Sequence, residues 1–183
     1  DSNYDSHLIP FLLKHWKALP LTSLPLHPKT ILGLYLYGLN VSRIVKENDI
    51  DLIHAHFAYP EGLAGLLAKR ETGKPFVVTL HGFDILTEPS VNYGIRLDKR
   101  LDRIVGKVLR EADGIVTASS ATYREALRAG ACKEKLHLIH NGVDVERFSP
   151  DNGGDHLKKK HNIDGKTVIL TVRSHEPQKG IEY

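Results

Sequence analysis

Short apolar runs alternating with stretches of helical spacing constrain this chain more than any other feature, because only a parallel sheet with crossover helices accommodates that rhythm. The runs are Asp51–His56, Phe76–Leu80, Gly114–Ala118, Leu136–Ile139 and Thr167–Val172. Phe76-Val77-Val78-Thr79-Leu80 is continuous enough to predict a strand buried on both faces. Between the runs, Thr30–Glu47 places Ile31, Leu34, Leu39, Ile44 and Val45 on one helical stripe that reads as core. Pro60-Glu61 opens a second helix to about Arg70, and Gly73-Lys74-Pro75 ends it. Arg96–Ala112 predicts a third helix, with Leu97, Leu101, Ile104, Val105 and Leu109 inward, and Ser119 or Ser120 caps a fourth over Thr122–Arg128, with Glu125 in its early turns. The fold class is therefore α/β, with βαβ units around a parallel sheet.

After His140 the pattern changes to turn and loop residues, Asn141-Gly142, Ser149-Pro150 and Asn152-Gly153-Gly154, followed by a lysine-rich segment with Lys158–Lys160 as a solvated face. The expected division is a domain over 1–150, a linker over 151–166, and the first strand of a second domain within 167–183. The chain opens at Asp1 rather than Met, carries no secretory signal, and stops at Tyr183 as an element begins, so it is expected to be incomplete at both ends.

Composition removes several functions. A net charge of +3 with no long basic run argues against nucleic-acid binding. The single cysteine, Cys132, has no internal partner, which favours a reducing compartment, the cytoplasm. No run approaches the roughly 20 apolar residues of a membrane span. The apolar segment Leu8–Leu26, with Trp16, admits contact with a bilayer surface, although a core or cleft-side loop is the preferred reading.

In a doubly wound sheet, ligands bind beyond the carboxyl ends of the strands, and polar residues of this chain gather there. His81 closes an apolar strand, and Gly82 after it permits a tight turn or a close approach to a ligand. An imidazole there either orients a sugar or polyol hydroxyl and shares its proton, or bonds a neighbouring loop. His54 and His56, two apart on a strand, face the same way, which suits either a metal pair lacking further ligands or one packed and one cleft-lining histidine, the latter preferred. Arg173 and Lys179 share one loop with the helix turn expected at Gly180, and either cradle a diphosphate or form an exposed basic loop.

These residues resemble a known family. Asp51-Leu52-Ile53-His54-Ala55-His56-Phe57, Pro75–Ile85 containing His81-Gly82-Phe83-Asp84, Ala112–Ser119, Ile139-His140-Asn141-Gly142-Val143-Asp144 with Phe148 and Pro150, and Val168–Gly180 are similar, in order, to the retaining glycosyltransferases of family four, which have the GT-B fold. The resemblance implies two Rossmann-like domains across a cleft and sugar transfer from a nucleotide sugar, such as a UDP-, GDP- or ADP-sugar, to a sugar, polyol or lipid-linked acceptor hydroxyl with retained configuration. It implies no metal and no cofactor beyond the co-substrate. His81 then corresponds to the histidine beside the transferred sugar, Arg173 and Lys179 to the diphosphate-binding pair, and His56, Gly82 and Asp84 to the acceptor side. Val172 stands where the family has Gly, and the spacing from Arg173 to Lys179 suits only part of it. The family's paired glutamates would lie past Tyr183 and its glycine-rich loop before Asp1, so the chain alone is expected to be inactive. A metal-dependent hydrolase using His54 and His56, a sugar-nucleotide epimerase and a non-catalytic binding module are the alternatives.

Overall fold

Residues 28–181 are described by the computed structural model, and the membrane-contact reading of Leu8–Leu26 falls outside them. They divide into two units, one through Ile139 and one over His140–Tyr183. In the first, four strands run parallel in the order of the sequence: β1 (Ile53–His56), β2 (Phe76–Leu80), β3 (Gly114–Thr117) and β4 (Leu136–Leu138). Four helices accompany them: α1 (Pro28–Glu47), α2 (Glu61–Thr72), α3 (Lys99–Glu111) and α4 (Ser120–Arg128).

The register explains where the core sits. Ile53 pairs with Phe76, Ala55 with Val78, Val78 with Ile115, Leu80 with Thr117 and Ile115 with Leu136, so these residues share one face, and all are buried. Removing Phe76 or Leu80 from water stabilises the fold by about 1.5–3 kcal/mol each. Helix α2 lies close on that face because it carries glycine where a side chain would collide: a Cβ on Gly65 would stand 2.5 Å from the Phe76 ring. Gly38 likewise lets α1 approach α2, since a Cβ there would lie 2.7 Å from that of Leu67.

The opposite row corrects an expectation. Val77 and Thr79 on β2 are half-buried and His54 and His56 on β1 are exposed, so β2 is not buried on both faces among the described residues. Successive strands joined by crossovers of one hand place their helices on one side of a sheet, which is why apolar density collects there. Ile44 also departs from the predicted stripe and is exposed, whereas Val45 beside it is buried.

Helix α3 begins at Lys99 rather than Arg96 because Asp98, in extended conformation, caps it by accepting from Arg100 N, and Ile95–Leu97 forms a separate 3₁₀ turn. Helix α4 is capped by Ser119, whose Oγ accepts from Thr122 N at 3.2 Å while Thr122 Oγ1 accepts from Ser119 N at 3.2 Å. Thr122, not Glu125, completes the capping box; Glu125 pairs instead with Arg128 and with Arg96. Ser119→Ala is therefore expected to lower stability by about 1 kcal/mol in a urea titration, and Ser120→Ala to change it by less than about 0.5 kcal/mol.

The second unit contains two 3₁₀ turns, Pro150–Asn152 and Pro177–Lys179, and a short helix α5 (Asp155–Lys160) inside the segment expected to be a linker. Thr167–Val172, expected as a strand, is not one. It has no ladder partner among the described residues, and Ile169 and Val172 are 93% and 86% exposed. A β-branched run becomes a strand only when a neighbour takes up its backbone groups. No helix among the described residues is long and apolar enough to cross a membrane.

Candidate functional site

The carboxyl end of β2 leads into a loop that a buried carboxylate organises. Gly82 takes φ 114, which a side-chain-bearing residue resists, while a Cβ there would meet nothing closer than 3.5 Å. The demand on this position is therefore conformational. Its carbonyl accepts from Ile85 N at 3.0 Å and Leu86 N at 2.7 Å, closing a tight turn. Inside that turn Asp84, 1% exposed, accepts from His81 N and Gly82 N through Oδ1, both at 3.0 Å, and from Ala58 N through Oδ2 at 2.8 Å. One side chain thus ties the loop after β1 to the loop after β2. Because these oxygens face backbone N–H groups, Asp84 shapes the two loops and its carboxylate is not presented to a ligand.

On top of this scaffold sit the histidines. His56 Nδ1 and His81 Nε2 are 2.8 Å apart and hydrogen-bonded, with ring centroids 5.1 Å apart. His54 stacks behind His56 at 4.7 Å, and its Nε2 is bonded to Thr79 Oγ1 at 2.8 Å. Partial desolvation by its neighbours first, and the adjacent His56 and His81 second, push the exposed His54 imidazole below its ordinary range, which favours its neutral form. On the other side of His81 lies Phe57, its ring centroid 4.6 Å away. Phe57 has φ 73, a left-handed conformation that a bulky residue adopts at a cost, and its N–H donates to Thr79 O at 2.9 Å.

The loop beyond is stiffened rather than loose. Glu88 and Tyr93 exchange two backbone hydrogen bonds, Ile95 N donates to Phe83 O, and Arg96 reaches from the loop to Ile85 O at 2.8 Å and to Asp102 at 2.6 Å. Phe83 and Tyr93 form an edge-on aromatic pair with centroids 5.4 Å apart, and Phe83 is exposed. The structure thus brings His56, His81, Gly82 and Asp84 together with His54, which the sequence offered as a partner of His56, and adds Phe57 and Tyr93, which sequence reasoning did not assign to the site. Phe57 had one legible signal, its place directly after the end of β1.

Arg173 and Lys179 belong to the second unit. There Arg173 is exposed at the end of the extended run, and Lys179 closes the Pro177–Lys179 turn, its N–H donating to Glu176 O at 2.8 Å. The helix turn expected at Gly180 is instead the end of this turn, with Gly180 at φ 61. Among the described residues no three His, Cys, Asp or Glu side chains converge as a metal ion requires. The hydrolase reading thus lacks the further ligands it needs there, and the facing nitrogens of His56 and His81 are occupied by each other.

An exposed imidazole on a rigid turn at the carboxyl edge of a parallel sheet suits recognition of a hydroxyl-bearing ligand. Comparison with known proteins shows what the chain is similar to. The profile of Glycosyltransferase Family 4 matches residues 8–147. An uncharacterised glycosyltransferase of Methanocaldococcus jannaschii is 41% identical over 152 residues, 83% of this chain and 36% of that protein. A GDP-mannose-dependent alpha-mannosyltransferase of Mycobacterium tuberculosis is 29% identical over 84% of this chain and 40% of its own length. The chain thus spans 36% and 40% of the length of these two relatives. Among solved structures, Anabaena HepE in complex with UDP-glucose superposes with a TM-score of 0.55 at 21% identity, over 70% of this chain and 33% of that one, a likeness of fold.

Proposed function

The chain belongs to Glycosyltransferase Family 4, and from that premise we propose that the whole protein transfers a sugar from a nucleotide sugar to an acceptor hydroxyl with retention of configuration. In this reading residues 1–150 form the acceptor-side domain, 151–166 connect it onward, and 167–183 open the domain that binds the donor. The setting is the cytoplasm, and the acceptor is a sugar, a polyol or a lipid-linked glycan.

One observation carries the proposal: His81 stands exposed at the carboxyl end of β2, on a turn fixed by Asp84, with its Nε2 held by His56. That arrangement leaves one ring nitrogen for a hydroxyl and prevents the ring from swinging away, which is what orientation of a reacting group requires. His56 supports His81, Gly82 supplies the turn, and Asp84 sets both. Relatives whose names specify a GDP-mannose donor and a neighbour holding UDP-glucose support a nucleoside-diphosphate sugar as the donor class. Arg173 and Lys179 are assigned to its diphosphate, where a guanidinium fork and an ammonium offset the charge that grows as the sugar departs.

Losing one charge-assisted contact of this kind costs about 1.5–3 kcal/mol, roughly a 10- to 100-fold effect. Arg173→Ala and Lys179→Ala in the whole protein are therefore each expected to raise KM for the nucleotide sugar at least roughly tenfold in a transfer assay. Donor affinity equal to that of the unmodified protein in both variants would refute the diphosphate assignment.

A further inference from the structure

The hydrogen bond between His56 and His81 has two forms that differ in which ring carries the shared proton. In one, His81 Nε2–H donates to His56 Nδ1, and both rings are Nε2–H tautomers. In the other, His56 Nδ1–H donates to His81 Nε2, and both rings are Nδ1–H tautomers. A free neutral histidine side chain prefers the Nε2–H form, so the first arrangement satisfies the preference of both rings and the second opposes it twice.

We propose that His56 is a positioning residue that locks His81 as its Nε2–H tautomer and so presents His81 Nδ1, as a hydrogen-bond acceptor, to the hydroxyl of the sugar acceptor. The consequence for catalysis rests on the proposed function; the tautomer itself does not. The surroundings leave the bond between the two rings intact. His54, next on the same strand face, bonds Thr79 and leaves the His56–His81 contact undisturbed. Asp84 contacts His81 through its backbone N–H and leaves the ring nitrogens alone, and the Tyr93 hydroxyl lies beside Gly82. Phe57 covers part of the His81 ring and so limits its rotation. The lock specifies the acceptor chemistry: a ligand group facing Nδ1 has to donate, as a hydroxyl does, and a ligand carbonyl or ether oxygen is disfavoured there.

Long-range proton–nitrogen spectra of the chain labelled with ¹⁵N-histidine, recorded above the ordinary imidazole titration range, read the tautomer directly. The unmodified chain is expected to show His81 protonated at Nε2 and bare at Nδ1. In His56→Ala the two His81 nitrogen shifts are expected to move toward each other as the tautomers mix, while His56→Asn, whose side-chain carbonyl still accepts from Nε2–H, keeps the original pattern. In the whole protein His56→Ala lowers kcat roughly tenfold without raising KM for the donor, the scale on which partners that orient a functional histidine act. A proton on His81 Nδ1 in the unmodified chain, or His81 shifts unaltered by His56→Ala, would overturn the inference and leave the proposed function standing. Normal transfer by His81→Ala would do the reverse, removing the role that the proposed function gives to His81 while the tautomer result stood.

Discussion

Replacing Asp84 with alanine is expected to destabilise the chain by roughly 4 kcal/mol, since it strips the partners from three backbone N–H groups at once, each worth about 1–3 kcal/mol when left unpaired away from water. Ala58 N and Gly82 N are buried with this carboxylate, and His81 N, partly exposed, recovers some of its loss to water. Against a typical total of 5–15 kcal/mol, such a change removes a large share of the stability. Asp84→Asn separates geometry from hydrogen bonding. Its single carbonyl can serve either Ala58 or the His81–Gly82 pair, and its amide then points N–H against N–H, so a loss of about 2 kcal/mol is expected. Urea titration of the chain measures both. A loss below about 1 kcal/mol for Asp84→Ala would mean that the turn holds without its carboxylate.

The same residue shows why the sequence disclosed some of this site and concealed the rest. The order β1, β2, β3, β4 and its helices were legible because apolar runs and helical spacing each leave a periodic trace, and β2 matches its predicted run from Phe76 to Leu80. The fold class and the family resemblance followed from those runs and the residues at their ends. Asp84, by contrast, carries no mark in the sequence that distinguishes a ligand-facing carboxylate from a buried one; only its contacts with Ala58, across from another strand, show the difference. The His56–His81 bond was hidden for a related reason. It depends on the β1–β2 register pairing His56 with Thr79, which no spacing along the chain encodes. Ile44 and the start of α3 were misjudged because helical periodicity does not register a side that meets solvent or a cap such as Asp98 that interrupts it. The run Thr167–Val172 shows the limit of strand propensity, which needs a partner strand to be realised.

His81→Ala carries the largest expected effect on activity. A side chain that orients or shares a proton with a reacting hydroxyl contributes about 100- to 10,000-fold in rate. The ring itself is exposed, and its removal leaves the backbone N–H bonded to Asp84, so stability is expected to change by less than about 1 kcal/mol. The two readouts separate a lost function from a lost fold. The decisive measurement is therefore kcat/KM for transfer from a nucleotide sugar by the whole protein carrying His81→Ala, alongside its urea midpoint. A fall of at least about 100-fold with the midpoint preserved is the predicted result; transfer at the unmodified rate by a folded variant would contradict it.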